Sequence, residues 1–147
     1  MKIYNKKIQV KSTSQMEFID ITERVAEIIS NSGIREGQVL VYAPHTTASI
    51  VVNHNEPMLI QDFMKVLYRI VPVSNSYAHD LFEISRGQTS DGRSNGHSHC
   101  KSMLVGGVSE TLPIEKGKMI LTKRQCIFLA EMDGARNREV IVQIMGI

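Results

Sequence analysis

Apolar side chains recur along this chain with two different spacings, and the switches between them mark the expected elements. Over residues 2–12, Ile3, Ile8 and Val10 alternate loosely with lysine and glutamine, as in a half-buried strand. Asp20 or Thr22 then caps a helix whose Val25, Ile28 and Ile29 share one face, and Gly33 stops it. Gly37 turns the chain into a short apolar strand over 38–42. A second strand follows over 47–53, where Ile50, Val51 and Val52 are β-branched in a row. Glu56-Pro57 opens another helix, proline being suited to the first helical position. Its Leu59, Ile60, Phe63, Met64, Leu67 and Ile70 keep the 3.6-residue period up to Pro72.

From 73 to 98 no period survives, and Ser, Asn, Gly, Asp and His dominate. We read this stretch as one long polar connection, of the kind that is functional or mobile in a compact domain. Beyond a short apolar segment at 103–105, strands are expected over 108–114, 118–121, 125–132 and 139–145. Gly117 and the Asp133-Gly134 pair supply turns, Asp-Gly being a strong hairpin signal. Two helices in the first half and an antiparallel meander in the second define an α+β class. The expected architecture is a mixed, largely antiparallel sheet or sandwich, in one domain over 1–147.

Composition narrows the function classes. The net charge of +2 comes from scattered lysines and arginines, and the chain has no Trp. A nucleic-acid binder needs a concentrated basic face or interleaved aromatic residues, so that class is not expected. The first twelve residues lack the apolar stretch of a signal peptide, and no apolar run approaches a membrane span. Cys100 and Cys126 read as free thiols of a cytoplasmic protein. Cys126 falls in an apolar strand, whereas Cys100, beside His99, is the more open to reaction.

The candidate chemistry centres on histidine. His45 stands at the mouth of a strand in Pro44-His45-Thr46-Thr47-Ala48-Ser49, His79 lies in the polar connection, and His97 and His99 end it. One residue apart on an extended backbone, His97 and His99 would point to the same face. Imidazoles carry protons near neutrality and ligate metals, and a converging set suits either task. The same residues are also compatible with solvated loops and strand-end hydrogen bonds. Asn53 ends an apolar strand where an amide would face a cleft or cap a turn. Asp62, one turn into the second helix, can orient a histidine or lie on a solvated face. The string Asp91-Gly92-Arg93-Ser94-Asn95-Gly96 can cradle an anion on its amides or be a plain turn. Arg136 and Arg138 offer planar forks to a phosphate, or simply surface charge.

Taken in order, HTTAS (45–49), NHNEP (53–57) with Asp62, YAHD (77–80), DGRSNGHSH (91–99), SETLPIEKG (109–117) and EMDGARNR (131–138) resemble the YjbQ family from about residue 8 to the end. The family's Gly-Thr-Trp-Gln signature stands here as Thr122-Lys123-Arg124-Gln125, and its usual Asn-Glu as Asn53-His54. The resemblance implies an α+β fold assembled as a homotrimer with sites near subunit boundaries. It also implies a secondary thiamine-phosphate synthase activity, condensing a pyrimidine pyrophosphate with a thiazole phosphate and releasing pyrophosphate. On this reading His45, Asp62 and His99 are catalytic. Thr46, Thr47, Asn53, Asn95, Gly96, His97, Gln125 and Arg136 contact a small phosphorylated substrate, Glu131 near the end of the chain matches another of the family's polar positions, and a divalent cation such as Mg or Zn assists. The alternatives are a metal site on His45, His79, His97 and His99, and a trimer that binds metabolites without converting them.

Overall fold

The computed structural model describes residues 1–85 and 93–147. Its elements run β1 (Lys2–Lys11), β2 (Glu17–Asp20), α1 (Thr22–Ser32), β3 (Gly37–Tyr42), β4 (Ala48–Asn53) and α2 (Pro57–Ile70). Then come α3 (Ala78–Ser85), α4 (Gly96–Val105), β5 (Ser109–Glu115), β6 (Lys118–Met119), β7 (Cys126–Glu131) and β8 (Asn137–Gly146). The α+β expectation holds, and every strand pair is antiparallel. No described helix is long and apolar enough to cross a membrane.

Local chemistry places the two helices of the first half as the sequence suggests. Asp20 Oδ1 accepts from the Thr22 amide at 2.9 Å and from its hydroxyl at 2.6 Å, and Gly33 closes α1 in the left-handed conformation. Glu56 caps α2 by accepting from the amides of Met58 and Leu59.

The strands divide into two sheets, ordered β1-β8-β3-β5-β6 and β2-β7-β4. Val39, Val41, Val140, Val142 and Ile144 of the first meet Ile50, Ile127 and Leu129 of the second, with Val25 and Ile29 of α1, in one core. Successive residues of a strand face opposite ways. Ala130 of β7 and the following Met132 therefore point to the other side, against Met16 and Leu67. Thus β7 is covered on both faces, which is why it reads as an uninterrupted apolar run.

Three expectations need correction. The last four strands are not a meander: β5, β6 and β8 lie in the larger sheet, while β7 crosses to the smaller one. Asp133-Gly134 is therefore a crossover between sheets, not a hairpin. Its glycine serves close approach, since a Cβ there would stand 1.9 Å from the Ser14 carbonyl oxygen. The polar connection is also more ordered than read, holding α3 and the start of α4. The buried face of α4 consists of Gly96, His97, Ser98, Lys101 and Ser102, so it shows no apolar period. The short β2 was not foreseen either.

Candidate functional site

Two distant segments meet at one pocket. The chain leaving β3 turns at Ala43, where the His45 amide donates back to the Ala43 carbonyl, and carries His45 and Thr46 to the surface before β4 begins. Against them stands α4. His45, Thr46, Ser49, His99, Ser102 and Met103 line a common cavity of about 340 Å³. His45 Nε2 faces the amide and the carbonyl of Glu139, at 3.1 and 2.9 Å. Its Nδ1 has no hydrogen-bond partner among the described residues and remains available.

His99 is oriented from behind. Its ring stands against the Thr46 backbone and meets the His79 ring edge-on, centroids 4.7 Å apart. His79 Nε2 is 3.2 Å from Asn95 Oδ1, and the Asn95 amide donates to Asp133 Oδ2 at 3.1 Å. With its NH₂ turned to a carboxylate, Asn95 presents oxygen to His79, so Nε2 of His79 carries the proton. Asp133 is in turn held by Arg136, whose Nε donates to its carbonyl and whose terminal nitrogen donates to its carboxylate, both at 2.8 Å.

A buried ion pair underlies this chain. Glu131 accepts from Arg138 Nε at 2.8 Å, from Ser12 Oγ at 2.7 Å and from the Asp133 amide at 3.1 Å. Arg138 also donates to Thr47 Oγ1 at 2.8 Å. The strand alternation that points Ile127 and Leu129 inward points Glu131 inward too, where β8 supplies the guanidinium. Burial pushes the Glu131 carboxyl up, but the bonds from Arg138 and Ser12 outweigh it and hold the group below its usual range.

His97 turns the other way. On α4, a helix and not the expected extended segment, residues two apart are separated by roughly 200° of rotation. His97 is therefore buried, its Nδ1 2.9 Å from Lys101 Nζ, while His99 faces the pocket. Lys101 is itself 1% exposed and lies 4.7 Å over the Tyr68 ring. Burial lowers the Lys101 amine below its ordinary value. This pair escaped sequence reasoning; the i, i+4 spacing of His97 and Lys101 was its one visible signal, and it means something only once the segment is known to be helical.

The other anticipated residues divide by position. The Asn95 and Gly96 amides both donate to Asp80 Oδ1, at 3.1 and 2.9 Å, so this carboxylate occupies the expected anion cradle. Asp91 and Gly92 lie outside the described residues. Thr47 and Arg138 are buried in the ion-pair network and not offered to solvent. Asn53 and Gln125 stand at the opposite end of the β4–β7 pair, whose register runs from Ala48–Glu131 to Asn53–Cys126. That is about 17 Å away at strand spacing. Asp62 is exposed on α2. The carboxylates that act on His45 are Glu131 and Glu139, and those acting on His99 are Asp133 and Glu83. Within one chain, then, the tautomer-setting role expected of Asp62 falls at His79 to Asn95 and Asp133. Among the described residues no three His, Cys, Asp or Glu side chains converge as ligands for an ion.

His45, His97 and His99 are all held below the ordinary histidine value of 6.5, burial being the largest cause in each. Below pH 6.5 the unfolded chain therefore takes up protons that the folded one refuses. The stability these groups contribute is complete above that pH and is lost as pH falls toward their folded values, by at most about 1.4 kcal/mol per pH unit for each proton. Thermal unfolding followed from pH 8 to 5.5 should show a falling midpoint on the acid side. A midpoint that is flat or rises there contradicts the assignment.

Two antiparallel sheets with a histidine pocket between the β3–β4 turn and a polar-faced helix define a small α+β class. The family described as UPF0047 protein YjbQ-like matches residues 6–147, and the chain belongs to that family. The UPF0047 protein of Methanothermobacter thermautotrophicus is 36% identical over 99% of this chain and 94% of its own length. YugU of Bacillus subtilis is 34% identical over 96% and 98%. A crystal structure of a YbjQ-like protein of unknown function from Sulfolobus solfataricus superposes with a TM-score of 0.88 at 33% identity, covering 99% of both chains. A hypothetical protein from Aeropyrum pernix gives 0.86 at 29% identity, over 98% and 99%.

Proposed function

We propose that this chain is an enzyme acting on a small phosphorylated metabolite, with His99 as the proton carrier of the pocket it shares with His45. One observation carries the reading. Residues 54 positions apart in sequence line the same cavity, and one of them is backed by an ordered chain through His79 and Asn95 to Asp133. The hydrogen bonds fix the tautomer of His79, and its ring edge in turn limits the direction of the His99 ring, which a merely solvated histidine does not need. Held neutral by burial, His99 offers one nitrogen that donates and one that accepts. It can take a proton from a reacting group or hydrogen-bond a departing oxygen.

The reaction the family resemblance points to is thiamine-phosphate synthase-like. A thiazole nitrogen forms a bond to the pyrimidine methylene carbon as the carbon–oxygen bond to pyrophosphate breaks. The protein's main task there is to stabilise the negative charge on the leaving group. The described donor set does not assemble a cation site, so we route no step through a protein-bound ion. Incubation with the two substrates should release pyrophosphate. Binding without turnover across a panel of phosphorylated compounds would instead indicate a sensor.

A homotrimer is part of the same proposal. Met58, Val66 and Ile70 of α2 are apolar yet 65%, 49% and 57% exposed, and of these only Ile70 belongs to the helix's periodic apolar set. A row of this kind needs a cover. Asn53, Asp62 and Gln125 also stand apart from the histidine pocket in one chain, and a neighbouring copy is what can bring them to it. Light scattering should give a particle of three chains, and Val66→Asp should reduce it to smaller species with loss of turnover. A native particle of any other size contradicts the trimer.

A further inference from the structure

A cavity of about 210 Å³ opens between α2 and the smaller sheet, apart from the histidine pocket. Phe18 of β2, Val51 of β4 and Phe128 of β7 form its floor, and Val51 and Phe128 are direct partners in the register. Leu59, Ile60 and Phe63 of α2 lie opposite, and Val105 at the end of α4 closes one side. Three of the chain's four phenylalanines thus meet here. Phe18 stands edge-on to both Phe63 and Phe128, with centroids 5.8 and 6.1 Å apart. Phe128 is buried, whereas Leu59 and Phe63 are 41% and 38% exposed, so the cavity is sealed below and open on the helix side. Two polar groups stand at its rim. Asn53 Oδ1 accepts from the His54 amide at 2.7 Å, while the Asn53 NH₂ and the His54 ring have no hydrogen-bond partner among the described residues. No Asp, Glu, Lys or Arg lines the cavity.

We propose that this cavity binds an uncharged, single-ring aromatic molecule bearing a hydrogen-bond acceptor, such as a nitrogen heterocycle. Each part of that description follows from the lining. An apolar cavity of about 150 Å³ already holds a benzene, so this one takes a ring with a small substituent. Phenylalanines set edge-to-face offer an incoming ring the geometry that aromatic pairs prefer, which a saturated ring cannot use. Apolar walls would strip water from an ion without supplying a counter-charge, so the ligand is neutral. The unpaired Asn53 NH₂ is a donor, so the ring's polar atom accepts. Apolar walls with a few placed polar groups are the usual build of a small-molecule site. Ser49, two residues back on the same face of β4, lines the histidine pocket, so the two cavities are neighbours. Ring binding is nonetheless independent of the chemistry assigned to His99.

Benzene, pyridine and cyclohexane are titrated into the whole chain at pH 8, where pyridine is neutral, with binding followed by ligand-detected NMR. Benzene and pyridine should bind saturably, and cyclohexane about threefold or more weakly than benzene. Val51→Trp projects an indole into the cavity and should weaken both aromatic rings by about tenfold or more. Asn53→Ala should weaken pyridine by about threefold or more and leave benzene unchanged. Should Val51→Trp fail to fold, that split still decides. His99→Ala should bind both rings as the wild type does, which separates ring binding from loss of turnover. No saturable binding to the wild type, the result if a neighbouring chain fills the cavity, overturns the proposal. Equal binding of cyclohexane, unchanged affinity in a folded Val51→Trp, or an Asn53→Ala effect that is the same for both rings does so too.

Discussion

Replacing His99 with alanine should lower turnover by about 10²–10⁴-fold, the usual range for removing a positioned acid–base group, and leave the fold in place. The two halves of this expectation rest on different observations. The ring lies in a pocket wall and touches His79 and the Thr46 backbone, so its removal deletes chemistry without opening the main core. Alanine is also the better helix former, so α4 gains in local preference what it loses in contacts. Unfolding by urea should therefore change by no more than ~1 kcal/mol. His79→Ala should cost less activity than His99→Ala, because His79 acts through its neighbour. Pyrophosphate release measured on the purified variants decides the matter, and a His99→Ala protein that turns over at the wild-type rate removes the proposed role.

Breaking the buried ion pair should have the largest effect on stability. Arg138→Ala leaves the Glu131 carboxylate, 0% exposed, without its counter-charge, a change that costs about 3–5 kcal/mol. Glu131 also holds Ser12 and the Asp133 amide, and Arg138 holds Thr47, so β1, the crossover and the turn bearing His45 all lose an anchor together. Substituting both partners by apolar residues, Glu131→Leu with Arg138→Met, should be far milder than either single change, since no charge is then left buried. Urea unfolding of the two single variants and the double checks this. Additive losses would show that the pair does not act as a unit.

Periodicity located the elements whose buried faces are apolar. Val25, Ile28 and Ile29 in α1 and Ile50 in β4 stood out because oil-like side chains return at the spacing of the backbone. The same test fails on α4, which buries His97, Ser98, Lys101 and Ser102 and leaves Met103 and Leu104 exposed. Reading that segment as extended also put His97 and His99 on one face, when they serve two environments. His45 and His99 were picked out as a pair and do share a cavity. Asp133 and Asp80 were not, because their importance lies in what they hold, Asn95 and the 95–96 amides, across gaps in sequence that no local pattern spans. Sheet order was illegible for a related reason: β7 and β8 look like hairpin partners until both faces of β7 are seen to be covered.

The double covering of β7 bears on how the molecule opens. Amides of a strand sealed on both sides and flanked by neighbours on both edges exchange with solvent only through the rarest excursions from the native state. Glu131 ends that strand, and through Asp133 and Asn95 it fixes the direction of His79. The histidine pocket is thus moored to the slowest-opening part of the chain, and its anchoring end should stay aligned through the ordinary breathing of α2 and the surface loops.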